Sequence, residues 1–115
     1  MVDDYVARIQ HDLVYVLEVD GAVACVLILI AHEDHVFIDT VAVAPAMQRR
    51  GVGRELMAYA EAEARRRGLV ELRLYTNVAM HENLAWYAAL GYCETHRAEQ
   101  TEYQRVFFRK VLRDR

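Results

Sequence analysis

Between Val36 and Arg67 a strand-like run, a glycine-bearing turn and a helical pattern follow one another without a break. No other stretch restricts the fold as much. Val36, Ile38, Thr40 and Val41 to Val43 leave the first run almost no polar surface, which predicts a strand covered on both faces. Pro45, the only proline, ends that run, and Gln48-Arg49-Arg50-Gly51-Val52-Gly53 follows. From Val52 to Arg67 apolar Leu56, Met57, Ala60 and Ala64 recur at helical spacing, and Gly68 marks the stop.

Gly51 and Gly53 need a physical reason, because a glycine in the first turn of a helix gives up about 1 kcal/mol relative to alanine. Their presence makes sense if something must lie against bare backbone there. A helix N-terminus offers unpaired N–H groups and about half a positive charge. Arg49, Arg50 and Arg54 add full charges beside it. The combination suits an anion, most obviously a phosphate.

A second segment follows downstream, Asn83-Leu84-Ala85-Trp86-Tyr87-Ala88-Ala89-Leu90-Gly91-Tyr92. Gln-x-x-Gly-x-Gly directly after a strand and opening a helix resembles the acetyl-CoA pyrophosphate loop of the Gcn5-related N-acetyltransferases (GNAT). The second segment resembles the same family's Asn-x-x-x-x-x-Tyr-x-x-x-Gly-Phe/Tyr pattern, with one gap shortened. The two come in the family's order, separated by a strand, and the resemblance extends from Leu13 to Leu112.

At 115 residues the chain reads as a single domain, residues 1–115, large enough for a modest core. A net charge of −3 gives no reason to expect nucleic acid as a partner. Cys25 and Cys93 are too few and too far apart for a disulfide framework or a zinc motif. The longest apolar run, Ala22 to Ala31, is too short to cross a bilayer, and no signal peptide is evident, so no membrane partner and a cytoplasmic location are expected. His32 and His35 bracket two acids, but a hairpin turn does not make those side chains converge, so no metal is expected.

In chain order, Val2 to His11 reads as a short amphipathic helix. Leu13 to Val19 and Ala22 to Ala31 form a hairpin about Asp20-Gly21, with the strand at Val36 next. After the first long helix come a strand from Val70 to Thr76, a helix from Glu82 to Leu90, and strands over Tyr92–Arg97 and Tyr103–Leu112. This is a mixed α/β (α+β) fold, a mainly antiparallel GNAT-like sheet flanked by helices. The resemblance implies that the central strand and the next one, Phe37 to Val43 and Val70 to Thr76, diverge around the acyl donor.

It also implies an N-acetyltransferase that moves an acetyl group from acetyl-CoA to a primary amine by direct attack in a ternary complex. The backbone of Val41, Ala42 and Val43 would pair with the pantetheine arm. Gln48, Arg49, Arg50, Gly51, Val52, Gly53 and Arg54 would hold the pyrophosphate. Asn83 would touch the pantetheine arm and Tyr87 would serve the leaving thiolate as general acid; four residues apart on one helix, they share a face. Trp86 reads as a packing residue. Asp39, of the same parity as Val41 and Val43, is the candidate base, with Glu33, His35 or no side chain at all as alternatives. The acceptor is a small-molecule or peptide amine. A non-catalytic acyl-CoA-binding or sensing module is the alternative. A nucleotide-phosphate binder ranks far lower, since the loop lacks a P-loop's Gly-Lys-Ser/Thr ending.

Family members carry an extra strand and a longer helical pair ahead of the hairpin that begins here at Leu13, so the N-terminus looks shortened. Leu13 to Val19 would then be an open edge strand. A homodimer covering that edge or the C-terminal strand is expected, or else the chain is a fragment.

Overall fold

The computed structural model, which describes residues 4–9, 12–99 and 104–112, places seven strands in one sheet among those residues. They are β1 (Asp4–Ile9), β2 (Asp12–Val19), β3 (Ala22–Ala31), β4 (Val36–Val43), β5 (Glu71–Asn77), β6 (Cys93–Glu99) and β7 (Gln104–Val111). Helix α1 (Val52–Arg66) joins β4 to β5, and α2 (His81–Ala89) joins β5 to β6. Across the sheet the order is β1-β2-β3-β4-β5-β7-β6, and only β4 and β5 pair in parallel.

The β2–β3 hairpin turns where the sequence indicates. Asp20 and Gly21 take φ of 54° and 82°, the left-handed pair that a two-residue hairpin loop requires. Cross-strand register then sorts the side chains. Leu13, Leu27, Leu29, Val36, Ile38, Leu72, Leu74, Val106 and Phe108 share one buried face with Leu56, Met57, Ala60 and Ala64 of α1 and Tyr87 of α2. Both helices therefore lie on the same side of the sheet. Val26, Ile28, Ile30, Phe37, Tyr75 and Phe107 point to the other side, which no helix covers among the described residues.

Two polar clasps fix α1. Buried Glu63 accepts hydrogen bonds from Arg66 and Arg67 on its own helix, and from the Tyr15 hydroxyl of β2 at 3.2 Å. At the other flank, Lys110 Nζ of β7 donates to Glu61 Oε2 and to the Leu90 carbonyl, both at 2.8 Å, tying both helices to the sheet.

The structure corrects the sequence reading in four places. Val2 to His11 is not a helix: its described part is β1, paired antiparallel with β2 from Asp4↔Leu17 to Ile9↔Asp12. Leu13 to Val19 is consequently not an edge, and β7 lies between β5 and β6. The homodimer expectation thus loses both of the edges it rested on. Finally, β4 is not covered on both faces: Val36 and Ile38 are buried against the helices, while Asp39 and Ala42 are exposed.

Candidate active site

β4 and β5 are paired only at Val36↔Leu72 and Phe37↔Arg73. Beyond Phe37 they part, and the edge of β4 from Ile38 to Val43 faces an opening rather than a neighbouring strand. A cleft of about 430 Å³ lies at the far end of this opening, lined by residues of β4, the following loop and both helices.

The loop reaches the cleft by a single 3₁₀ turn, Pro45–Met47, with Ala44 N–H bonded to the Ala24 carbonyl at 2.7 Å. Gln48 Nε2 donates to the Val43 carbonyl at 3.1 Å, holding the loop against the strand end. Arg49 and Gly51 then take left-handed conformations, φ 67° and 80°, the kind of backbone that gathers N–H groups into an anion-binding concavity. Gly51 is the N-cap of α1, and Glu55 N–H is bonded to its carbonyl at 3.1 Å. The N–H groups of Val52, Gly53 and Arg54 precede that bond and have no carbonyl within the helix to meet.

Gly53 has a different reason for being glycine. A β-carbon there would stand 3.1 Å from Trp86 Cζ2 and 4.0 Å from Val43 Cγ2. Trp86 therefore closes α2 onto the first turn of α1, and its ring forms part of the cleft wall.

Tyr87 follows it on α2, 9% exposed, its ring against Trp86, Tyr92 and Phe108 at centroid distances of 5.2, 6.1 and 5.8 Å. Burial holds its phenol pKa above the ordinary value of 10.0, so the hydroxyl keeps its proton at neutral pH. Among the described residues that hydroxyl makes no hydrogen bond, although it borders the cleft.

The cleft brings together Val41, Val43, Gln48, Arg49, Gly51, Gly53, Arg54, Asn83 and Tyr87 of the residues singled out from sequence. Arg50, Val52, Ala42 and Asp39 are not in its wall. Ala42 points with Val26 to the opposite face, and Val52 packs toward the core. The parity argument for Asp39 fails on register. Leu29 pairs with Ile38 and Ile28 with Thr40, so Asp39 is the extra residue of a bulge. Val41 and Val43 realign with Ile38 beyond it, and Asp39 is exposed, accepting a hydrogen bond from its neighbour Thr40 at 3.1 Å. Glu33 and His35 precede β4 and so lie at the end of the strand away from the cleft, roughly 20 Å off at ~3.3 Å per residue. That distance removes both as bases for this cleft.

Sequence reasoning missed Met47, Glu82 and Trp86 in the wall. For Trp86 a signal existed: a glycine inside the first turn of α1 that no backbone angle explains has a bulky neighbour. Among the described residues no group of three His, Cys, Asp or Glu side chains is placed to hold a metal ion.

Residues 2–92 match the family model described as the acetyltransferase (GNAT) family. The chain belongs to the GNAT family. A search of curated proteins found no match to the sequence. Among solved structures, the ribosomal-protein-S18-alanine N-acetyltransferase of Escherichia coli is similar at 23% identity and a TM-score of 0.80, over 91% of this chain and 72% of that one. A GNAT acetyltransferase of Elizabethkingia anophelis with acetyl-CoA bound gives a TM-score of 0.77 at 15% identity, over 90% and 78% of the two chains. A Bacillus subtilis acetyltransferase in complex with CoA gives 0.80 at 14% identity, over 97% and 99%. The GNAT fold explains why the sheet opens between β4 and β5 and why a glycine-bearing helix starts at that opening.

Proposed function

We propose that this GNAT chain, as one domain over residues 1–115, is an N-acetyltransferase that moves an acetyl group from acetyl-CoA to a primary amine within a ternary complex. One observation carries the reading. The end of the unpaired edge of β4 and the glycine-opened N-terminus of α1 line one cleft together with Asn83 and Tyr87.

The residues present fit such a donor. Backbone groups of Val41 to Val43 offer an extended arm the pairing that β5 does not supply. Arg49, Arg54, Gln48 and the N–H groups at the start of α1 suit a pyrophosphate, with Arg50 an exposed charge beside them. Acetyl-CoA supplies the activated thioester, whose displacement needs little more than alignment and a proton for the departing sulfur.

Asn83 would orient the donor, and the protonated Tyr87 hydroxyl, with no hydrogen-bond partner among the described residues, would hold the proton for the thiolate. The incoming ammonium must lose a proton before it attacks. Asp39, exposed at the bulge and outside the cleft wall, is the proposed acceptor only through intervening water, and the alternative is that no side chain serves as base. Water exclusion falls to Trp86 and Met47.

The acceptor remains a small-molecule or peptide amine. The E. coli relative is an alanine N-acetyltransferase, which makes an α-amine the first class to try. The test pairs binding with turnover. A hundredfold excess of acetyl-CoA over its Kd should stabilise the fold by about 2.7 kcal/mol, and a panel of amines should yield an acetylated product by mass together with free CoA. An unmoved melting point sinks the donor assignment. Stabilisation with no product from any amine favours the non-catalytic acyl-CoA-binding alternative.

A further inference from the structure

The helix-free face of the sheet carries a second cavity. It has a volume of about 440 Å³ and is lined chiefly by Phe37, Glu71, Arg73, His96, Phe107 and Arg109, from β4, β5, β6 and β7. Its position differs from that of the cleft in two ways. Register puts Phe37, Arg73, Phe107 and Arg109 on the side of the sheet away from both helices. It also lies where β4 and β5 are still paired, at the strand ends opposite the opening.

Two features of the groove point to a ligand. The first is a row of rings. His96 stacks on Phe107 at 4.3 Å and 8°, Phe107 meets Tyr75 at 5.4 Å, and Tyr75 meets Phe37 at 5.7 Å. Of these, Phe37, His96 and Phe107 line the cavity; Tyr75 is tilted by 41° and 48° to Phe37 and Phe107, carries the Arg105 guanidinium 4.2 Å over its ring, and stands behind them.

The second is charge. Arg73 and Arg109 are direct cross-strand partners, a placement in which like charges repel. Arg73 is already committed: its Nε bonds Glu71 Oε2 at 2.6 Å, and Asp34 Oδ2 stands 3.7 Å from its guanidinium. Arg109 is exposed, and among the described residues it has no acidic partner. A planar fork of donors therefore stands beside aromatic side chains, opposite another guanidinium, with its charge unmatched among the described residues.

We propose that this groove binds a small aromatic carboxylate, its ring against Phe107 and Phe37 and its carboxylate on Arg109. The volume lies within the range of small-molecule sites. The guanidinium geometry favours a carboxylate over a point anion. One unmatched charge favours a monoanion. The site is separate from the donor cleft, so the two ligands bind together.

The probe is 2-naphthoate, titrated calorimetrically into the whole chain with and without saturating CoA. One site is expected, with a Kd on the order of 0.1 mM that CoA leaves unchanged. Neutral 2-naphthamide and non-aromatic cyclohexanecarboxylate should each bind about tenfold or more weakly, having lost the charged bond or the stack. Arg109→Gln should weaken naphthoate about tenfold, and Arg109→Lys by a smaller factor, since charge survives but the fork does not. Displacement of naphthoate by CoA would put the probe in the donor cleft and overturn the proposal. So would equal affinity in Arg109→Gln, equal binding of the amide, or no binding at millimolar probe.

Discussion

Trp86 lies against Gly53 so closely that a single added methyl group would stand 3.1 Å from its indole. This contact seals the junction of the two helices in the wall of the cleft. It is also a natural reporter, because Trp86 is the only tryptophan in the chain. Acetyl-CoA binding should change the indole emission with the same midpoint as the thermal shift. Emission that stays constant while the melting point rises would place the donor away from Trp86.

Gly53→Ala sets two effects against each other. The helix gains about 1 kcal/mol of propensity, while displacing the indole from a packed wall costs about 1–3 kcal/mol. We expect a net loss near 1 kcal/mol by urea melts, a red-shifted emission, and weaker acetyl-CoA binding. Adding Trp86→Leu should remove the penalty of the alanine. Equal stability and emission in Gly53→Ala would show that the wall is looser than described.

Tyr87→Phe removes a hydroxyl that makes no hydrogen bond among the described residues, so stability should stay within about 0.5 kcal/mol and donor affinity should persist. Turnover should fall by about 10². Because burial raises the phenol pKa above 10.0, the parent should show no loss of turnover from Tyr87 ionising below that pH. A variant as fast as the parent at saturating acceptor would reduce Tyr87 to packing.

Asp39→Asn tests the proton acceptor with the fold left alone, since the side chain is exposed at a bulge. If the carboxylate receives the amine's proton through water, turnover at neutral pH should drop by about 10² and recover as pH approaches the pKa of the acceptor amine. A profile superimposable on the parent's would mean the amine arrives neutral.

Glu63 sets an acid limit on the fold. Burial alone would raise its pKa, but the hydrogen bonds from Arg66 and Arg67 outweigh that and hold it below the ordinary 4.5. The unfolded chain therefore takes up this proton first as pH falls. The contribution of Glu63 is intact above pH 4.5 and is lost as pH drops through the lower folded value. Glu63→Gln should cost about 2 kcal/mol near neutrality and flatten the fall in stability on the acid side. An unchanged slope would assign acid unfolding to other groups.

What the sequence disclosed and what it withheld have separate physical origins. Gly51, Arg49 and Arg54 were legible because a helix start and its left-handed cap are local chemistry. Gly53 was legible only as a place of close approach, and what approaches it is Trp86 from the other helix. Asn83 and Tyr87 were legible as one helix face. The bulge at Asp39 was not, because register is decided by the partner strand β3, and a one-residue slip reverses the parity on which a face argument rests. The segment before Leu13 failed for a similar reason. Tyr5, Ala7 and Ile9 alternate as well as Val6 and Ile9 recur, and pairing with β2 decides between the two. Trp86 was read as packing, which it is; that packing also makes the cleft wall.

Only Val36↔Leu72 and Phe37↔Arg73 stitch the meander β1–β4 to the trio β5-β7-β6. The sheet is thus two plates sharing a short seam, with α1 bridging them as a brace on one side. A donor in the opening would act as a strut between plates that are otherwise joined at one end. Amide exchange along Ile38–Val43 should then slow as a block when acetyl-CoA is present, with little change at the seam itself. If the donor binds as proposed, the shortness of one strand pairing would make it a structural member of the sheet it enters.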